Sequence, residues 1–155
     1  MTGQATLNAR LVQVALQVAD SEEAIRSLAS LLLRGGYVKD SFTDAVLERE
    51  RSFPTGLPTG NVPVAIPHAD SVHVVRSAVA IGVLAKPVAF REMGEPDNVL
   101  NVQIVMMLAI HDPKAVVPFL QKTCGILQDG EFLSRLKAAK NAQEVVRLLR
   151  PRLNA

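Results

Sequence analysis

The chain has 155 residues, 48% of them hydrophobic, which suffices for one complete core and not for two ordinary domains, so a single domain over 1–155 is expected. The net charge is only +2, the lysines and arginines are scattered, and one Tyr with no Trp leaves no basic and aromatic surface suited to nucleic acid. No basic segment precedes an apolar run at the N-terminus, no run reaches membrane-spanning length and Cys124 is alone, which predicts a soluble protein of a reducing cytoplasm with a buried structural thiol.

Residues 11–19 set Gln13 and Gln17 among apolar and β-branched residues and read as a strand. Asp20 or Ser21 then caps a helix with Glu22 and Glu23 in its first turn and an apolar face of Ile25, Leu28, Ala29, Leu32 and Leu33, which Gly35-Gly36 ends. Ser41 or Thr43 starts a second helix through Ala45, Val46 and Arg49, stopping before Phe53-Pro54. Residues 51–60 hold two prolines and two glycines and read as a loop. Strands follow at 62–66, 78–84 and 102–108, the last almost continuously apolar, as a strand covered on both faces should be. Asp112-Pro113 opens a helix to about Leu127, which Pro118 should distort, and two shorter helices are predicted at 131–139 and 142–149. This order predicts an α/β single-domain sandwich.

The chemistry gathers where the 62–66 strand stops at Pro67 and presents His68 at its rim. Imidazole is a mostly neutral nucleophile at physiological pH, although a histidine after a strand is also a common turn residue. His111 follows another apolar strand. If the two strands share a sheet and a direction, both histidines reach one rim, and the helix start at Asp112 favours an anion there. Arg49, in E-R-E-R, carries a planar fork that suits phosphate oxygens, or else is a solvated helix end. His68, Asp70 and His73 form an alternative set, the donors of a metal-dependent hydrolase, although their spacing does not stack the histidines on one helix face. Nucleotide-binding, zincin and serine-hydrolase motifs are absent.

Arg49-Glu50, Pro54-Thr55-Gly56-Leu57 and Val64-Ala65-Ile66-Pro67-His68 together resemble the signature of the enzyme IIA domains of the fructose/mannitol class in the bacterial sugar phosphotransferase system. Pro87-Val88, Phe90, Met93-Gly94 and residues 105–109 before Asp112-Pro113 are most similar to the galactitol-like branch, and the resemblance runs over 24–149. It implies a mixed β-sheet flanked by helices on both faces. It also implies a phosphohistidine at His68 supported by Arg49, a phosphoryl donor in the carrier HPr, an acceptor cysteine on a IIB domain and, indirectly, a membrane IIC permease, without metal or nucleotide cofactor. Thr55 and Thr59 would add hydroxyl donors, and His73 or His111 would assist. Mannitol and fructose members carry a second functional histidine where this chain has Ala115 or Val116, and its loss fits the galactitol-like branch, whose members often have a histidine near position 73. A regulatory module of the same fold is the alternative. The Pro54 to Gly60 loop, with Phe53 and Leu57, is expected to flank the site as a docking surface.

Overall fold

Strand β1 (Val12–Leu16) opens the sheet in the computed structural model, which describes residues 4–153. Helix α1 (Ser21–Arg34) begins at Asp20, whose carboxylate accepts from the Glu23 amide at 2.9 Å, with Glu22 and Glu23 where the helix dipole favours negative charge. Its buried stripe is Ala24, Ile25, Leu28, Ala29 and Leu32; Leu33, expected on that stripe, lies at its margin and is 40% exposed. Helix α2 (Phe42–Ser52) buries Phe42, Val46 and Leu47. Ser41 precedes it without capping it, because its hydroxyl is engaged by His73.

The predicted loop 51–60 instead contains the end of α2 and a short strand, β2 (Gly56–Leu57). Gly56 is needed there: a Cβ would stand 2.6 Å from the Arg91 carbonyl oxygen. The predicted strand 62–66 shrinks to β3 (Val64–Ala65), since Pro63 and Pro67 on either side have no amide to give a ladder. Conversely, 78–84 and 102–108 are the apolar halves of two longer arms, β4 (Ala78–Glu92) and β5 (Glu95–Ala109). The outer part of the hairpin is mostly exposed, with only Val88 and Phe90 of β4 buried there and Leu100 of β5 packed against them; it is held by ladder pairing and by a turn with Gly94 at φ +80°.

The sheet is mixed. β4 and β5 are antiparallel, β1 lies parallel to β4, β3 lies parallel to β5 and antiparallel to β2, and β2 meets β4 at Glu92. Asp112 caps a single 3-10 turn, Pro113–Ala115, before α3 (Val116–Ile126). Pro118 therefore falls among the first residues of α3, whose amides have no helical partner, and does not break a running helix as expected. Two further helices close the chain, α4 (Gly130–Lys137) and α5 (Ala142–Leu153). Alternation along β4 and β5 sends Val79, Ile81, Ile104 and Met106 into the core shared with α3, α4 and α5. Ala80, Val105 and Met107 enter the core shared with α1 and α2. The result is the α/β arrangement expected, a mixed sheet with helices on both faces. Cys124 is half-buried rather than fully buried, and burial raises its thiol pKa. Among the described residues no helix is long and apolar enough to cross a membrane.

Candidate functional site

The parallel pairing of β3 with β5 continues past the strand as a bridge between His68 and Leu108, where the Leu108 amide donates to the Pro67 carbonyl at 3.0 Å. His68 thus stands at the end of β3, as the sequence predicts, but not exposed: Ile66, Pro67 and Ala69 are buried around it and the residue is only 8% accessible. Its Nδ1 lies 2.8 Å from the Ile66 carbonyl oxygen. A carbonyl only accepts, so Nδ1 carries the proton and the lone pair resides on Nε2. Burial lowers the pKa from its ordinary 6.5; the Ile66 carbonyl opposes this, the Arg49 charge adds to it, and Asp70 opposes it weakly. The chemical outcome is a neutral imidazole with one fixed tautomer.

Arg49 belongs to the last turn of α2. Its guanidinium sits 5.5 Å from the Phe53 ring centroid, and Nη1 makes a loose 3.8 Å ion pair with Asp70 Oδ1. Nε is buried and has no hydrogen-bond partner among the described residues. A half-buried cation with an unmet donor is suited to an anion that offers several oxygens. Glu48, Arg49, Phe53, Asp70 and His73 line one open cleft of about 280 Å³.

His73 reaches that cleft with its Nδ1 2.8 Å from the Ser41 hydroxyl. His111 does not join it: its amide donates to Ser77 Oγ at 2.9 Å and its ring nitrogen lies 3.0 Å from the Val74 carbonyl oxygen. The strands share a direction as supposed, yet the turn after β5 points His111 to the segment entering β4. At the helix start expected to favour an anion, the Asp112 carboxylate accepts from the Lys114 amide at 3.0 Å and so sets a negative charge there. The two threonines are likewise committed. Thr55 donates its hydroxyl to Glu50 Oε1 at 2.8 Å, and Thr59 donates to the Val62 carbonyl at 2.6 Å, so both hold backbone in place rather than offering donors to a ligand. Among the described residues no group of three His, Cys, Asp or Glu side chains could hold a metal ion, so the set His68, Asp70 and His73 is not assembled as a metal site.

The loop expected to flank the site is internal only at Pro54, Thr55 and Gly56, while Pro58 and Gly60 are exposed. Leu57 is a half-buried β2 residue packed against the core, whereas Phe53, which lines the cleft, is 64% exposed. The residue that sequence reasoning passed over is Glu50. Its carboxylate accepts from the Thr55 amide and hydroxyl, both at 2.8 Å, and burial raises its pKa from 4.5 to about 7 against the lowering effect of Thr55 and Arg49. Only its place beside Arg49 and five residues before Thr55 could have drawn notice.

The family described as "Phosphoenolpyruvate-dependent sugar phosphotransferase system, EIIA 2" matches residues 5–151. The galactitol-specific EIIA component of Escherichia coli (strain K12) is 27% identical over 125 residues, covering 81% of this chain and 83% of that protein. The mannitol-specific enzyme IIA component of Halalkalibacterium halodurans is 28% identical over 149 residues, covering 94% and 95%. Among solved structures, the complex of mannitol enzyme IIA with phosphorylated mannitol enzyme IIB from Escherichia coli superposes with a TM-score of 0.78 at 26% identity, covering 94% of this chain and 98% of that one.

Proposed function

Because the chain belongs to the enzyme IIA type 2 family of the phosphoenolpyruvate-dependent sugar phosphotransferase system, we propose that it is a phosphocarrier whose acceptor atom is Nε2 of His68. The observation that carries this reading is the His68–Ile66 hydrogen bond. It holds the proton on Nδ1 and leaves Nε2 as the nucleophile of a ring that burial keeps neutral.

The Nε2 lone pair attacks the phosphorus of a phosphohistidine on the donor, HPr. The donor N–P bond breaks and its electron pair returns to the donor imidazole. Arg49 meets the charge on the equatorial oxygens, so positioning and electrostatics are the whole of the protein's task and no metal or nucleotide is required. In the second half a cysteine thiolate of the cognate IIB forms the S–P bond and the pair returns to Nε2. The enzyme IIB seated on a related enzyme IIA supports this choice of acceptor. A galactitol-like system, feeding a membrane IIC permease from the cytoplasm, is favoured by the similarity to a galactitol-specific EIIA component and by Ala115 or Val116, where the resemblance would set the second histidine of mannitol and fructose members.

The test is transfer through the whole chain of carriers. Label from phosphoenolpyruvate, given enzyme I and HPr, should pass to this protein and then to a galactitol-type IIB, and His68→Ala should stop both steps. Label that enters and never leaves for any IIB would favour the regulatory role instead.

A further inference from the structure

We infer that Glu50 is a positioning residue for phosphoryl transfer, acting on His68 through a hydrogen-bonded path that runs from α2 to the imidazole. This rests on the reading of His68 as the acceptor. The path has three links. Glu50 Oε2 and Oε1 accept from the Thr55 amide and hydroxyl, each at 2.8 Å. The Thr55 carbonyl accepts from the Ile66 amide at 3.3 Å. The Ile66 carbonyl accepts from His68 Nδ1 at 2.8 Å. The residue whose carbonyl chooses the His68 tautomer is therefore anchored at its amide by Thr55, which the Glu50 side chain holds in turn. Thr55 is 2% exposed and Ile66 fully buried, so water cannot substitute in the middle of the path.

The arrangement also couples the two charged partners of the phosphoryl group's surroundings. Glu50 and Arg49 are consecutive on the last turns of α2, so one helix fixes both the guanidinium and the start of the path to the nucleophile. Arg49 is the charge that acts on Glu50; Arg51 on α2, Glu22 on α1 and Arg91 on β4 line the same pocket, and Glu22 is paired with Arg26 at 3.3 Å and Arg51 at 3.9 Å. A carboxylate raised to about 7 by burial is an unusual choice for a purely structural bracket. Both of its protonation states can keep the two bonds, since the Thr55 hydroxyl can rotate to accept from a protonated carboxyl.

Two substitutions separate geometry from charge. Glu50→Gln is neutral and isosteric: its carbonyl accepts from the Thr55 amide and its amide donates to the rotated hydroxyl. Glu50→Asp keeps the charge and withdraws it by one methylene. The readouts are single-turnover phosphoryl uptake from phosphorylated HPr and the ring-nitrogen NMR shifts of neutral His68, which report the tautomer without any transfer. We expect Glu50→Gln to match the parent in both, and Glu50→Asp to mix the tautomers and slow uptake about tenfold, the scale of one lost buried hydrogen bond. If Glu50→Asp does not fold, Thr55→Val, which deletes the hydroxyl, takes its place with the same expected direction. A single Nδ1–H tautomer with parental uptake in Glu50→Asp or its substitute, or loss of uptake in Glu50→Gln, overturns the inference. A parent protein that takes no label on His68 would overturn the functional reading instead, while the NMR shifts would still judge the path.

Discussion

Two side chains at the end of α2 carry opposite consequences for stability and rate. Arg49 has a buried Nε without a partner among the described residues, a loose contact with Asp70 and a 5.5 Å approach to the exposed Phe53 ring, so its native interactions contribute little, about 0–1 kcal/mol. In the proposed function it meets phosphoryl oxygens, where loss of a charge-assisted donor slows transfer roughly 10²–10³-fold. Arg49→Ala should therefore melt within a few degrees of the parent while transferring slowly, and calorimetry paired with single-turnover kinetics checks both halves. Glu50 acts through pH. In the native state it holds its proton up to about pH 7, whereas in the unfolded chain it releases it near its ordinary 4.5, so between those values the native state binds more protons and stability falls as pH rises. Glu50→Gln has no such proton, so its melting temperature should gain on the parent's from pH 4.5 to about 7 and hold a constant lead above that. A lead that does not change with pH would mean the carboxyl is not held protonated. His68 slopes the other way, since its lowered pKa makes the native state bind fewer protons just below 6.5, but this cancels in the comparison.

The smallest elements do the most to place the site. β2 and β3 have two residues each, yet they bind Thr55 and Ile66 to the sheet and deliver His68 beside Leu108. Gly56 is their close approach to β4, and a methyl group there would press on the Arg91 carbonyl oxygen from 2.6 Å. Gly56→Ala should cost about 1–3 kcal/mol and slow transfer as well, because moving β2 moves Thr55; denaturant unfolding and uptake kinetics measure the two. These short elements are also where the sequence was least legible. Proline-bounded pairs of residues have no periodicity to read, so a two-residue strand looked like loop at Gly56 and a longer strand at Val62. α1 and the apolar halves of β4 and β5 declared themselves through burial patterns that only a helix or a covered strand produces. His68 and Arg49 were visible because proline stops and charged helix ends are local signals. The commitments of His111 were not, since Ser77 and Val74 are brought near only by the folded chain, and those of Glu50, Thr55 and Thr59 were not, because a hydrogen bond across an irregular turn leaves no periodic pattern even when its partners are three to five residues apart.

At the scale of the whole molecule, the site lies on one end of the sheet, with its nucleophile buried and its cleft open beside it, which suits brief contacts with other proteins. Such contacts need a small apolar centre rather than a large obligate interface. Phe53, 64% exposed and lining the cleft with Arg49, is the natural anchor, whereas Leu57 is half-buried against the core and does not line the cleft. Phe53→Ser should raise the apparent Michaelis constant for HPr about tenfold with the melting temperature almost unchanged, the cost of one lost aromatic anchor. Steady-state uptake across a range of HPr concentrations measures it, and an unchanged constant for both HPr and IIB would move docking to another face. The central claim concerns a single atom, and phosphorus and ring-nitrogen NMR of the phosphorylated protein address it most directly. The account predicts one phosphoramidate, on Nε2 of His68, with Nδ1 still protonated against the Ile66 carbonyl. Phosphorus on Nδ1 of that ring, or on His73 or His111, would contradict it.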